Sequence, residues 1–112
     1  MRAVLCREYG PYQNISVEDV PAPAQPLAPG TVLVDVAAAG IGFANVLSIA
    51  GQHQNSPPVP FIPGTEAAGV IGAVAADVTR LRPGQRVAIS LPHGAFAEQA
   101  VAQADNVFPI PD

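Results

Sequence analysis

Apolar residues in this chain fall into short runs bounded by glycine and proline, a pattern of strands rather than of long helices. Residues 3–6 and 15–20 read as strands, with the turn-forming Gly10-Pro11 between them. Pro21, Pro23 and Pro26 then keep the chain extended and out of a helix. Pro29-Gly30 suits the central positions of a type II turn, and it leads into the β-branched, strongly apolar run 31–36. The same device, Pro83-Gly84, precedes a strand at 86–89. Between the two lies an apolar run at 67–74, in which Gly69 and Gly72 predict bends or a close backbone approach. A last extended stretch covers 95–102, and Pro109 and Pro111 close the chain. Residues 43–50 form the one helical pattern: Phe43, Val46, Leu47 and Ala50 fall at i, i+3, i+4 and i+7, and Gly51 follows as a stop. That spacing directs Phe43 and Leu47 at a core. The whole predicts a mainly β chain, a small barrel or sandwich with one or two short helices.

Composition narrows the function classes. The chain has 112 residues, 9 acidic side chains, five arginines and no lysine, for a formal net charge of -4. Nucleic acid is excluded as a partner, because a phosphate backbone is bound by clustered cations, and only Arg80, Arg82 and Arg86 lie near one another, in a turn. The length suits one domain over 1–112, and a hydrophobic content of 49% is enough for a core. Charged residues make up 12%, about half of the roughly 25% usual in soluble domains, and residues 36–65 carry no charge at all. That stretch is expected to face protein or ligand. It is no membrane span, being broken by Gly40, Gly42, Asn45, Gly51 and Pro57-Pro58. The start shows no secretory h-region, and the single Cys6 cannot form an internal disulfide, so a cytoplasmic location is expected.

The residues alone carry little chemistry. Gly40-Ile41-Gly42 lacks the third glycine of a dinucleotide fingerprint, so no Rossmann domain is encoded. Cys6, His53, His93 and the carboxylates show no zinc-binding spacing. No serine sits in a nucleophile-elbow context.

A series of motifs goes further. Ala38-Ala39-Gly40-Ile41-Gly42-Phe43-Ala44-Asn45 is followed by Gly51-Gln52-His53, then by Pro58-Val59-Pro60-Phe61-Ile62-Pro63-Gly64-Thr65-Glu66-Ala67-Ala68-Gly69-Val70. Pro83-Gly84-Gln85-Arg86-Val87 and Gly94-Ala95-Phe96-Ala97-Glu98 complete it. In order and spacing these resemble the N-terminal half of the medium-chain dehydrogenases/reductases, with the zinc-independent quinone oxidoreductases, relatives of zeta-crystallin, as the branch most alike. The resemblance implies a GroES-like, partly open β-barrel whose Rossmann cofactor domain is absent from this chain.

The resemblance also assigns roles. In the zinc alcohol dehydrogenases a cysteine ligand stands where this chain has Gly42 and a histidine ligand where it has Thr65. The lobe for a structural zinc would follow Val87, where the chain runs through Leu91-Pro92-His93 to Gly94. No metal site is therefore expected. Glu66 matches a family glutamate and is expected to hydrogen-bond backbone near the cleft, beside the substrate pocket, with a direct role in catalysis as the alternative. The quinone reductases usually carry an asparagine at the position of Gly42, an aspartate at Asn45 and often a tyrosine at His53. His53, Asn45 and Thr65 are the candidates to meet charge developing on a substrate oxygen, each weighed against a loop or structural role. Phe43 and Leu47 are candidate pocket wall, and Gly42 and Phe43 would lie on the nicotinamide side of the cofactor. His93 is read as surface.

The implied reaction is hydride transfer from NADPH to a quinone or an α,β-unsaturated carbonyl, without zinc. The chain would be the substrate-side domain, incomplete and inactive by itself, partnered by the cofactor-binding domain of the same enzyme. A homo-oligomer would form mainly through that second domain. An enoyl thioester reductase and a non-catalytic GroES-like binding or assembly module are the alternatives.

Overall fold

The computed structural model describes residues 1–111, so Asp112 lies outside the described residues. The chain opens with an antiparallel hairpin, β1 (Arg2–Leu5) and β2 (Ser16–Asp19), which pairs Ala3 with Glu18 and Val4 with Val17. Five strands make the main sheet: β3 (Thr31–Ala39), β4 (Glu66–Val74), β5 (Arg86–Ser90), β6 (Gln99–Gln103) and β7 (Val107–Pro109). Their order is β6-β3-β4-β5-β7, every neighbour antiparallel. The helix α1 (Phe43–Ala50) stands between β3 and β4.

The connection between β6 and β7 forces the sheet to curl. These are the two edge strands, and a flat sheet would hold them four strand spacings apart, roughly 19 Å. Yet they are joined only by the single 3₁₀ turn Ala104–Asn106, and a four-residue step from Gln103 to Val107 reaches at most about 14 Å when fully extended. The sheet therefore bends round into a half-barrel. The Arg80 side chain ties down the closing turn by donating to the carbonyls of Ala104 and Val107. Inside sit Val32, Val34, Ile71, Val87, Ile89 and Val107, each no more than 3% exposed. This is the GroES-like fold expected from the sequence.

The Pro-Gly turns form where expected, with Gly30 at φ 76° and Gly84 at φ 92°. Four details differ from the sequence reading. β3 runs on through Ala37, Ala38 and Ala39, and Val107–Pro109 forms a strand that the chain-closing prolines had hidden. Only the second half of 95–102 becomes a strand. Residues 95–98 instead meet β1 through an isolated Ala3–Ala97 bridge and a Val4 N–H bond to the Phe96 carbonyl of 2.8 Å.

The fourth concerns α1. Its buried residues are Asn45 and Ile49, and Phe43 is 74% exposed, so Phe43 is not core. Ile49 packs with Cys6 and Phe61, whose main chains exchange hydrogen bonds of 2.8 and 3.0 Å. This small second cluster turns the helix about its axis from the face suggested by the apolar stripe.

Candidate functional site

The cross-strand register builds one surface out of small residues. Ala38 pairs with Ala68, Ala68 with Ala88, and Ala88 with Phe108, a row crossing β3, β4, β5 and β7. Because alternate strand residues point to opposite faces, Ala67, Ile71, Val87 and Ile89 go to the core while this row stays outside. The outcome is an open groove of about 650 Å³, walled by alanine methyl groups and by Phe108, which is 52% exposed. Its polar members are Thr65, Glu66 and Ser90, and Glu66 and Ser90 are partners in register.

Glu66 departs from the expectation that it hydrogen-bonds backbone. It begins β4 on the outward side and is exposed, and its carboxylate has no hydrogen-bond partner among the described residues. Only its main-chain carbonyl is engaged, accepting from the Gly40 N–H at 3.2 Å. The carboxylate instead lies over Gly40, where any Cβ would collide with Oε1. A side chain at position 40 would therefore compete with the Glu66 carboxylate for this space, and the exposed Glu66 side chain would have to swing aside. Thr65 is half-buried; its carbonyl accepts from the Leu91 N–H at 2.8 Å, and its hydroxyl has no hydrogen-bond partner among the described residues.

The structure brings Thr65, Glu66 and Gly40 to one groove and places the remaining candidates elsewhere. Asn45 is 4% exposed, and its Oδ1 accepts the Gly42 N–H at 2.8 Å, so it closes the first turn of α1 from the third helical position. Gly42 stands in open space, with nothing within 4 Å of where a Cβ would be. Beside it Ile41, 83% exposed, and Phe43 project into solvent, while Leu47 is half-buried. His53 lies in the loop after α1, with Nδ1 accepting the Asn55 N–H at 3.0 Å. His93 is exposed and meets the Phe61 ring edge-on, centroids 6.1 Å apart. Sequence reasoning missed Ser90 and Phe108. The period of two along β4 and β5 is the signal that places Ser90 outward with Glu66.

No group of three or more His, Cys, Asp or Glu among the described residues could hold a metal ion. No helix among them is long and apolar enough to cross a membrane. A second, smaller groove of about 380 Å³ flanks the end of β3, between Ala37–Ala39 and the Arg2–Val4 and Phe96–Glu98 segments. The last residues of β3 are therefore open on both sides.

Known proteins are similar to this chain in sequence and in fold. Quinone oxidoreductase-like protein 2 of Mus musculus is 37% identical over 111 residues, which cover 99% of this chain and 31% of that protein. Erythronolide synthase EryA2 of Saccharopolyspora erythraea is 40% identical over 103 residues, 92% of this chain and 3% of that one. Among solved structures, Escherichia coli quinone oxidoreductase complexed with NADPH superimposes with a TM-score of 0.90 at 26% identity, covering 99% of this chain and 33% of that one. The chain thus spans about a third of the length of the quinone oxidoreductases it matches. Residues 28–112 match the alcohol dehydrogenase GroES-like domain, and the chain belongs to that family, within the medium-chain dehydrogenases/reductases.

Proposed function

We propose that this chain forms the substrate-side wall of an NADPH-dependent reductase that passes hydride to a quinone or an α,β-unsaturated carbonyl. The observation that carries the reading is the open, alanine-walled groove ending at Thr65 and Glu66, in a chain similar along its whole length to a quinone oxidoreductase complexed with NADPH. A flat, apolar substrate suits such a wall, and few polar groups are needed to orient it.

The roles follow from what each side chain has free. Thr65, in the groove, offers an unengaged hydroxyl as donor for the negative charge that grows on the substrate oxygen during hydride transfer, and His53, outside the groove in the loop after α1, is the second candidate through its ring N–H on Nε2. Asn45 acts through α1, holding the Gly42 turn. Gly42 leaves room for a nicotinamide face, and Phe43 and Leu47 supply apolar surface beside it. The reaction is read as zinc-free, since a glycine and a threonine stand at positions 42 and 65. The dinucleotide is read as held by a separate cofactor domain, since this chain covers only 33% of the quinone oxidoreductase complexed with NADPH, and the chain is read as inactive without it. The match to erythronolide synthase favours a second reading, a reductase of enoyl thioesters inside a larger synthase.

Calorimetric NADPH titration tests the assignment, with the 112-residue chain alone and with the chain fused to the cofactor domain of the E. coli quinone oxidoreductase. No binding by the chain, with binding and quinone reduction by the fusion, is the expected result. Tight NADPH binding by the chain alone would overturn it.

A further inference from the structure

His53 is the sole titratable side chain in the uncharged segment 36–65, and its surroundings are closed by three hydrogen bonds. The His53 N–H donates to Ser56 Oγ at 3.2 Å, and the Ser56 N–H returns to the His53 carbonyl at 3.0 Å. The Asn55 N–H donates to Nδ1 of the His53 ring at 3.0 Å. A side-chain acceptor bonded to the N–H two residues on is ordinarily the oxygen of an Asn or Asp, the Asx turn. Here the acceptor is an imidazole nitrogen. It can accept only while it carries no proton, so the neutral ring keeps its hydrogen on Nε2.

We propose that His53 is a proton-operated latch on the loop 51–57. The neutral ring closes the turn through Nδ1. Protonation there replaces the acceptor by a second donor facing the Asn55 N–H, and the turn opens.

No carboxylate among the described residues lies within ion-pair distance of the ring, the one ion pair among them being Arg7 with Glu18. α1 carries no titratable side chain. From the N-terminal segment the titratable groups that hydrogen-bond to this loop or to the end of α1 are the Tyr9 phenol and the Cys6 thiol. The Tyr9 hydroxyl donates to the Pro57 carbonyl, and the Cys6 thiol lies 3.9 Å from the Ile49 carbonyl. Tyr9 also packs its ring on Gly51, where a Cβ would meet Cδ2 at 3.0 Å. Both ends of the loop are thus fastened to Tyr9, and opening of the latch is felt in the N-terminal segment.

The inference uses the same His53 ring as the function proposed above, but through Nδ1 rather than Nε2, and it is tested on the 112-residue chain itself, with no substrate or cofactor. An NMR titration from pH 8 to pH 5 is expected to move the Asn55 and Ser56 amide signals with the same midpoint as the His53 ring protons. Hydrogen-exchange protection of the Asn55 amide, corrected for intrinsic rate, is expected to fall about fivefold, the equivalent of one ordinary hydrogen bond. His53→Asn supplies a side-chain oxygen in the position of Nδ1 that cannot titrate, so the Asn55 amide should stay protected and unmoved across the same range. An Asn55 amide indifferent to pH in the parent chain, or moving equally in H53N, would overturn the latch.

Discussion

Gly69 in β4 lies against the main chain of Asp35 in β3, so that a Cβ built on it would run into the Asp35 carbonyl oxygen, with the carbonyl carbon at 2.9 Å and Val34 Cγ1 at 3.1 Å. Backbone cannot yield as a flexible side chain can, so even a methyl group must push β3 and β4 apart at the centre of the sheet. Gly69→Ala is expected to destabilise the fold by about 3 kcal/mol, the upper range for overpacking a closed site. Urea unfolding of the purified variant checks it. A loss below half of that would mean that the two strands have slack at this point.

That contact was half legible in the sequence. A glycine inside an apolar run announced a close approach, but its partner, 34 residues away, comes only from the register that pairs Val36 with Gly69. The same division runs through the structure. Strands made of valine and isoleucine after Pro-Gly turns were visible, whereas Ala37–Ala39 and Val107–Pro109 were not, because alanine and proline disfavour strands unless a neighbour recruits them. The helix was visible but not its buried face, which Cys6 and Phe61 select from distant parts of the chain. At the candidate site, the family motif singled out Glu66 and Thr65, and the groove holds both. The alternation of Ala67, Gly69 and Ile71 already implied that Glu66 points outward, where its carboxylate finds no backbone donor.

Asn45 offers a clear test of a supporting role. Its Oδ1 satisfies the Gly42 N–H within a 96% buried side chain, in a helix with no acidic residue in its first turn to share the work. Asn45→Ala should lower stability by about 1 kcal/mol, as expected for a lost N-terminal cap bond. Chemical denaturation of the 112-residue chain, with no cofactor or substrate present, makes the measurement. An unchanged midpoint would show that the carboxamide contributes nothing to the fold and would restore it as a candidate for direct substrate contact.

Glu18 sets an acid dependence. Hydrogen bonds from Arg7, at 2.6 and 2.9 Å, and then from Ser16 hold its carboxyl down to about 2. A carboxyl depressed on folding adds stability that is fully present above its unfolded value of about 4.3, and that stability is lost as pH falls through the folded value. Glu18→Gln should therefore be less stable than the parent chain at pH 6, with the gap closing progressively between pH 4 and pH 2. Exposure of the pair keeps the effect small and salt-sensitive. Thermal unfolding in low and high salt at each pH reads it, and a gap that widened on acidification would contradict the pairing.

Cys6 reports on the second cluster. The thiol is 1% exposed, packed between Ile49 and Phe61, and burial pushes its titration upward, partly offset by the hydrogen bond it donates to the Glu8 carbonyl at 3.3 Å. Thiolate is the reactive species, so both accessibility and ionisation protect the folded protein. A disulfide reagent at pH 8 should label the native chain at least about tenfold more slowly than the chain in urea, since reaction must wait for local opening. Ile49→Ala removes one wall of the cluster and should raise the native labelling rate while leaving the rate in urea unchanged. If I49A labelled no faster than the parent chain, the helix would not be what covers Cys6, and the packing that rotates α1 away from its apolar stripe would need another cause.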